Sequence, residues 1–589
     1  MPDVTPPARA FPPSLSGRAW LLRDTDPLEA ARFAQAAGVP EPVARLLLAR
    51  GVTPEAAAAY LMPRLRDLLP DPSVMADADA AAERIADAVM AGETIAVFGD
   101  YDVDGTASTA LLVSLLRSLG ATVLHAVPDR VRDGYGPNVA AFRRLVAQGA
   151  RLIVCVDCGT AAHDPIAAIM TEADVVVLDH HAVTATLPPA RAVVNPSRPD
   201  DASGLGHLCA AGVTFLAAVA LVRRLRVRGW FAQRREPDLL TLLDLVAIAT
   251  VCDVVPMRGL NRAFVDRGLA RIAAAPRPGF AALSAIAGLK RGIDAQALGF
   301  ALGPRLNAAG RLADADLGVR LLLADDRVTA DALAERLDAL NRERQAIERA
   351  VLAEAAEEAE RQAAEGRPVL LVASEAWHEG VVGIVAGRLR ERLHRPAFVF
   401  SVTDGVAKGS GRSVPGVHLG DAVRRAVEGG LARKGGGHAL AAGVTADAAA
   451  LGSLHVALCE ACTDAPPPGP PPLELAGLLT PEGADGSLAD TVSRLGPFGV
   501  GNEEPVFAAA GALTHAARMG RDGATLGLTL AGETGARLRA VMFRAEDGPL
   551  AEGLLQARGR AVRLAGRLRR DDFRGGEAVC LHVADAALA

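Results

Sequence analysis

The segment FGDYDVDGTAST, residues 98–109, sets three carboxylates at alternate positions, Asp100, Asp102 and Asp104, between the end of an apolar run and a glycine, Gly105, suited to opening a helix. From one such turn Asp102 and Asp104 can flank a pair of metal ions. Other apolar runs deliver polar residues in the same way: LIVCVD ends on Asp157, DVVVLD ends on Asp179 with His180 and His181 directly after it, and AIATVCDVVPM carries Asp253. Singly, an Asp after a strand is often a helix N-cap, and a lone His is usually a satisfied polar residue. Jointly, these carboxylates and two adjacent histidines are hard to explain as caps. Hard oxygen ligands with one or two imidazoles suit Mg2+ or Mn2+ better than Zn2+.

The elements that must position these groups are legible as a pattern. From Thr94, short β-branched runs (TIAVF, TVLHAV, LIVCVD, DVVVLD) alternate with amphipathic stretches, which predicts βαβ units and a parallel sheet. In an open parallel sheet ligands gather at the carboxyl ends of the strands, where these residues fall. Residues 328–365 contain no Gly or Pro and are dense in Ala, Glu and Arg, so one long helix is expected there. A second α/β segment starts at PVLLVAS. PPPGPPP at 466–472 reads as a stiff spacer, and the short strands LGLTLAG, RLRAVMF, AVRLAGRLRR and AVCLHVAD beyond it predict a small all-β barrel. The expected division is a helical segment over 1–75, a catalytic α/β domain over 76–327, a connecting helix over 328–366, a second α/β domain over 367–465, the spacer, and a barrel over 473–589.

Composition narrows the class. At 589 residues the chain is too long for one core, and with 50% hydrophobic and 22% charged residues it is not generally disordered. The start, MPDVTPPARAFPPSL, carries no apolar core long enough for a signal peptide, and no later run approaches the ~18 residues of a membrane span. Seven scattered cysteines do not form a disulfide framework, so a cytoplasmic, reducing setting is expected. Cys155-x-x-Cys158 and Cys459-x-x-Cys462 read as packing residues. A net charge of −6 argues against a general nucleic-acid coat, but a metal-loaded acidic site inverts its charge locally. Of 63 basic side chains only Lys290, Lys408 and Lys434 are lysine, and two of them adjoin glycine-rich motifs.

DYDVDG, the Asp-His-His triplet and Asp253 in TVCDVVP resemble the signature of the DHH phosphoesterase superfamily. The resemblance implies metal ligation by Asp102, Asp104, Asp157, His180 and Asp253, with Asp157 bridging and His181 contacting the scissile phosphate. Two metals ~3.5–4 Å apart would then bind one phosphate, activate a water and stabilise the leaving oxygen. Many members carry a histidine four residues before the first of these aspartates. Phe98 stands there, so a ligand is missing unless Asp100 substitutes, and Phe98→His is expected to tighten metal binding.

GHLCAAGVTF (206–215), GFALGPRLNAAGRL (299–312) and PDRVRDGYGPN (128–138) resemble segments of the superfamily's single-strand exonucleases, which implies substrate contacts from Arg130, Arg305, Asn307 and Arg311, with Arg130 near the terminal phosphate. KGSGRSVPGVHL and KGGGHALAAG resemble the DHH-associated domain, which implies that Ser410, Arg412, Ser413 and His438 face the substrate across the cleft from the metals. LGPFGVGNEEPVF (495–507) resembles the entry to an oligonucleotide-binding (OB) barrel, with Phe498, Phe507, Phe543 and Phe573 as its few stacking candidates. The resemblance covers roughly residues 75–589. It implies a monomeric two-metal exonuclease that degrades single-stranded DNA from its 5′ end, working beside a single-strand-binding protein and a helicase and away from membranes. Two rivals are a phosphodiesterase of short oligonucleotides or cyclic dinucleotides, and a strand-binding scaffold that has lost its chemistry. The extra barrel argues against the first, and the intact aspartates against the second.

Overall fold

The computed structural model describes residues 8–11, 14–23, 25–130, 133–183, 186–289, 292–463, 469–520, 523–545, 548–571 and 578–589. Lys290, Phe573 and the prolines at 466–468 lie outside them. The chain divides into two compact units, Leu68–Pro468 and the pair Met1–Asp67 with Gly469–Ala589.

In the first unit five parallel strands form one sheet: β1 (Thr94–Gly99), β2 (Val123–Ala126), β3 (Ala150–Val156), β4 (Asp174–Leu178) and β5 (Ala192–Val194). Their order is β2-β1-β3-β4-β5. The runs read as near-continuous hydrophobics because helices cover both faces; β3 and β4 are buried almost throughout. The chain leaves β1 toward one side of the sheet and β3 toward the other. The crevice between those two carboxyl ends is the topological switch point, where such sheets bind ligands. Helix α1 (Val103–Ser118) starts directly from the acidic turn, with Asp102 as its N-cap accepting from the Gly105 N–H at 3.0 Å. The turn is tight: a Cβ on Gly105 would lie 2.4 Å from the Asp100 carbonyl oxygen, so only glycine fits.

Helices α2 (Ala210–Val227), α3 (Leu243–Cys252) and α4 (Gly303–Leu312) are among the further helices of this lobe, and α5 (Arg327–Ala364) is the expected long helix. Asp326 caps α5, accepting from the N–H and hydroxyl of Thr329. The carboxyl half of α5 buries Val351, Ala355 and Ala359 against the second lobe. That lobe is a mixed sheet built from β6 (Leu370–Ser374), β7 (Ala397–Thr403), β8 (Val406–Arg412), β9 (Lys434–Gly437) and β10 (Ala441–Asp447), in the order β9-β10-β8-β7-β6. Helix α6 (Glu379–Leu393) packs on β7 and β8.

The second unit holds a closed five-stranded barrel. Strands Phe507–Met519, Thr525–Ala531, Arg537–Phe543, Val579–Leu588 and Ala561–Arg570 follow one another around it, and the first pairs with the last from Phe507↔Gly566 to Ala512↔Ala561. The N-terminal segment, read from sequence as helical, also supplies strands Ala8–Ala10 and Trp20–Arg23, and the latter pairs in parallel with Leu473–Leu475. Phe33, Val43, Leu46 and Leu47 share one core with the barrel. The fully buried Trp20 donates its indole N–H to Asp585 at 2.9 Å. Phe507 lies in that core with Phe498 packed against it, which withdraws both rings from the expected stacking role; Phe543 remains exposed, edge-on to His582. Among the described residues no helix is long and apolar enough to cross a membrane.

Candidate metal centre

The switch-point crevice collects the acidic turn after β1, Asp157 after β3 and the Asp179-His180-His181 triplet after β4. Three groups of donor atoms lie within 4.8 Å of one another: Asp100 with Asp102 and Asp157, Asp104 with His180 and Asp253, and Asp157 with His180 and His181. Asp157 therefore belongs to the first and third groups, and His180 links the third to the second. The His180 Nε2 atom is 3.4 Å from Asp157 Oδ1, 3.7 Å from Asp253 Oδ2 and 3.8 Å from Asp104 Oδ2. Those separations exceed ordinary hydrogen bonds and suit ligands grouped around a shared cation.

The donor set fits divalent cations on a second count. Both Asp157 carboxylate oxygens, one of Asp100 and one of Asp253 are buried without a hydrogen-bond partner, although buried polar atoms almost always have one. Asp157 is 1% exposed and holds a φ of 61°, a conformation that costs a non-glycine residue about 1 kcal/mol. Burial, reinforced by neighbouring carboxylates, pushes Asp100 and Asp157 well above the usual carboxylate range and Asp253 up to about 9. Protons or cations are needed to neutralise the cluster.

This gives a signed prediction. A carboxyl raised in the folded state keeps a proton that the unfolded chain has lost, so its stabilisation is present at low pH and lost as pH rises; for Asp253 the window runs from about 4 to about 9. Metal binding must displace those protons. The rise in melting temperature on adding Mn2+ should therefore be larger near pH 8 than near pH 6, with proton release measurable by calorimetry in buffers of different ionisation enthalpy. An increment independent of pH, with no proton released, would contradict the assignment.

Neighbouring bonds fix the ligands' positions. Asp104 accepts from the Ala210 N–H at 2.6 Å and the Ala211 N–H at 2.8 Å, so the N-terminus of α2 grips it; this accounts for the GHLCAAGVTF segment. Asp179 is not in the metal-donor groups. It accepts from the backbone N–H groups of Thr160, His180 and His181 and lies 2.8 Å from His181 Nδ1. Burial opposes the Asp179 carboxylate, but these partners outweigh it and hold its pKa below the ordinary range. His181 is correspondingly raised to about 9, against the effect of its burial. Tyr135, which motif reading did not single out, places its hydroxyl 3.0 Å from His181 Nδ1 and 3.3 Å from the Asp157 carbonyl oxygen.

Phe98 is not a vacant ligand position. Its ring, 1% exposed, packs edge-on to Phe142 at 5.7 Å in the core, and Asp100 is the group that joins Asp102 and Asp157. The expectation for Phe98→His is thereby reversed: a buried imidazole without a partner should destabilise the fold by about 3 kcal/mol and leave Mn2+ half-saturation no tighter. Thermal denaturation and a Mn2+ titration of the variant test both halves.

Three of the arginines expected to contact substrate lie in the same unit. Arg130 lies with its guanidinium carbon 4.0 Å from the Tyr101 ring centroid, and Arg311 donates to the Gly380 carbonyl at 2.9 Å. Arg412 donates to Ser410 Oγ at 2.9 Å. Burial and then the charges of Arg130, Arg344 and Arg412 lower Arg311 to about 10; burial and then Arg130 lower Arg412. Among the described residues none of Arg130, Arg311 and Arg412 has a carboxylate within ion-pair distance; the charges of Asp100 and Asp102 act on Arg130 and Arg311 from farther away. Gly310 makes the approach possible, since a Cβ there would lie 2.4 Å from the Tyr101 carbonyl oxygen. Asn307 is half-buried four residues before Arg311 on the same helix.

The remaining substrate candidates stand differently. Arg305 binds Asp338 of α5 at 2.9 Å and the Ala301 carbonyl. Ser413 is buried and donates to the Val417 carbonyl. His438 is exposed just after β9, whose Lys434–Gly437 backbone forms an exposed sheet edge. Lys408 pairs with Glu379 at 3.0 Å. Cys155 and Cys158 are free thiols buried in the core under the sheet.

A β2-β1-β3-β4-β5 sheet with this acidic crevice, joined by one long helix to a mixed-sheet lobe, defines a DHH-type protein: residues 94–250 match the DHH family, N-terminal domain, and residues 366–463 the DHHA1 domain. Residues 476–585 match the RecJ OB domain. The chain belongs to the RecJ family of single-stranded-DNA-specific exonucleases. It is 45% identical to the single-stranded-DNA-specific exonuclease RecJ of Dickeya dadantii, over 65% of this chain and 68% of that one. Identity to the RecJ of Escherichia coli is 39%, over 80% and 83%. The structure is similar to that of RecJ from Thermus thermophilus in complex with Mn2+, with a TM-score of 0.79 and 31% identity, covering 96% of this chain and 79% of that one.

Proposed function

We propose that the chain is a two-metal-dependent 5′→3′ exonuclease that hydrolyses single-stranded DNA to mononucleotides in DNA recombination and repair. One observation carries this reading: two donor groups share Asp157, whose carboxylate oxygens have no hydrogen-bond partner, in the unit that also holds three guanidiniums without a carboxylate at ion-pair distance among the described residues. Asp100, Asp102 and Asp157 would hold one Mn2+ or Mg2+, and Asp104, His180, Asp253 and Asp157 the other. When bound, such a pair activates water and stabilises the leaving oxygen.

The protein's own residues do the rest. The Asp179 contact at Nδ1 keeps His181 charged and leaves its Nε2 to donate to a phosphate oxygen. Arg130, Arg311 and Arg412, with Ser410, bind the strand's terminal phosphate, whose charge relieves their mutual repulsion. The barrel adds sequence-neutral contacts along the strand, which a phosphodiesterase of dinucleotides would not need. On this reading the protein works as a cytoplasmic monomer beside a single-strand-binding protein and a helicase.

A time course on 5′- and 3′-labelled single strands, with a duplex control, in Mg2+ and in Mn2+, tests the reading. Early release of label as mononucleotide from the 5′-labelled strand alone is expected. Release from the 3′ end first, or equal attack on duplex, would overturn it.

A further inference from the structure

Phe300 is 80% exposed, and no other described aromatic side chain is more so. It does not sit on a loose loop. Residues Leu298–Leu302 form a single π-helical turn, a local geometry that recurs at functional sites. That turn is clamped to the end of α3: Cys252 Sγ lies 3.7 Å from the Leu298 carbonyl oxygen. A Cβ on Gly299 would lie 3.2 Å from a Val251 methyl, and one on Gly303 2.4 Å from Cys252 Sγ. The next residue after Cys252 is Asp253, a donor of the metal centre, and Val254 follows it, 62% exposed with a φ of 61°. The π turn runs without a break into α4, which carries Arg311. Phe300 thus projects from a rigid seat between an element that ends at the metal centre and one that carries a phosphate-binding arginine, while the ring itself contributes little to the core.

We propose that Phe300 is a stacking platform for a base of the bound strand beside the metal centre, and that it thereby favours unpaired strands. A flat ring exposed on a fixed turn offers a sequence-neutral surface to any base, whereas a base inside a duplex already has neighbours on both faces. This rests on the reading of the chain as a single-strand exonuclease, and it adds a specificity residue that neither the metal ligands nor the arginine site provides.

The test uses the full chain with Ca2+ replacing the catalytic metal, and single strands in which one abasic site is moved stepwise from the 5′ end. For the wild type, affinity should fall about tenfold when the abasic site reaches the stacked position. Phe300→Ala should bind the intact strand about tenfold more weakly and lose nothing further on the strand abasic at that position, while Phe300→Trp should bind like the wild type. An unchanged thermal midpoint with Mn2+ would show that the fold and metal centre are intact, as the ring's exposure requires. The inference is overturned if Phe300→Ala binds the intact strand like the wild type, or if its deficit is the same at every abasic position. Wild-type protein that binds and cleaves single strands while giving either result fails only this inference; wild-type protein that neither binds nor cleaves them removes the exonuclease reading and this inference together.

Discussion

Replacing Asp157 by asparagine is expected to lower turnover by about 1000-fold or more while making the metal-free protein more heat-stable at pH 8. The two effects have one cause. Asp157 is buried beside Asp100, Asp102 and Asp104, and its carboxylate oxygens have no hydrogen-bond partner. Without cations the cluster holds charges in a desolvated site, which burial and repulsion both oppose. Asparagine, neutral at every pH, removes the cost of either charging or protonating that carboxyl and brings two N–H donors to oxygens that lack partners. With cations the sign reverses, because the side chain shared by the two donor groups has lost its charge, and both metals are misplaced. A loss of about 1000-fold is roughly 4 kcal/mol of barrier, within what a two-metal arrangement supplies. The measurements are turnover on a labelled single strand, and melting temperature with and without Mn2+. A variant that kept a tenth of wild-type turnover, or whose melting temperature rose with Mn2+ as much as the wild type's, would refute the shared-ligand role.

What could be read from the sequence was whatever one strand end and its next few residues contain. Asp100, Asp102 and Asp104 come from one turn, and His180 and His181 follow one strand, so their convergence follows from a parallel sheet and its switch point. The side chains' commitments were not legible, because they depend on partners distant in the chain. Arg305 and Arg311 lie in the same segment and look alike, yet Asp338 captures the first, while the second has only the more distant charge of Asp102 among the described residues. Ser410 and Ser413 lie three residues apart, and only Ser413 is turned inward to the Val417 carbonyl. Asp179, which the family resemblance leaves out of the ligand set, is committed instead to bonds from Thr160, His180 and His181, partners that its strand-end position does not reveal. The N-terminal segment carried no sign of its place either: Trp20–Arg23 is four residues long, and its partner Leu473–Leu475 is more than 400 positions away. Phe98 misled because a sequence position was equated with a direction; the ring's environment is set by Phe142 and the core below the sheet.

Arg412→Ala should reduce the catalytic efficiency on a 5′-phosphorylated single strand by about 30-fold, and on the same strand with a 5′-hydroxyl by only a few-fold, without lowering the melting temperature. Charge-assisted hydrogen bonds to phosphate contribute about 1.5–3 kcal/mol each, which spans this range. The contrast between the two strands matters more than the size of either loss, since a general weakening of strand binding would affect them alike. The stability term separates binding from architecture. Arg412 is lowered by burial and by the charge of Arg130, and Arg311 is lowered in turn by burial and by Arg130, Arg344 and Arg412, so the arginines oppose one another in the free protein. Removing one guanidinium relieves that repulsion, at the cost of the bonds to Ser410 Oγ and the Gly411 carbonyl, and the two terms should roughly cancel. Steady-state rates on the paired substrates and a thermal melt together decide the matter. Equal losses on both strands would place the terminal phosphate elsewhere, and a large drop in melting temperature with unchanged discrimination would make Arg412 a structural residue of the second lobe.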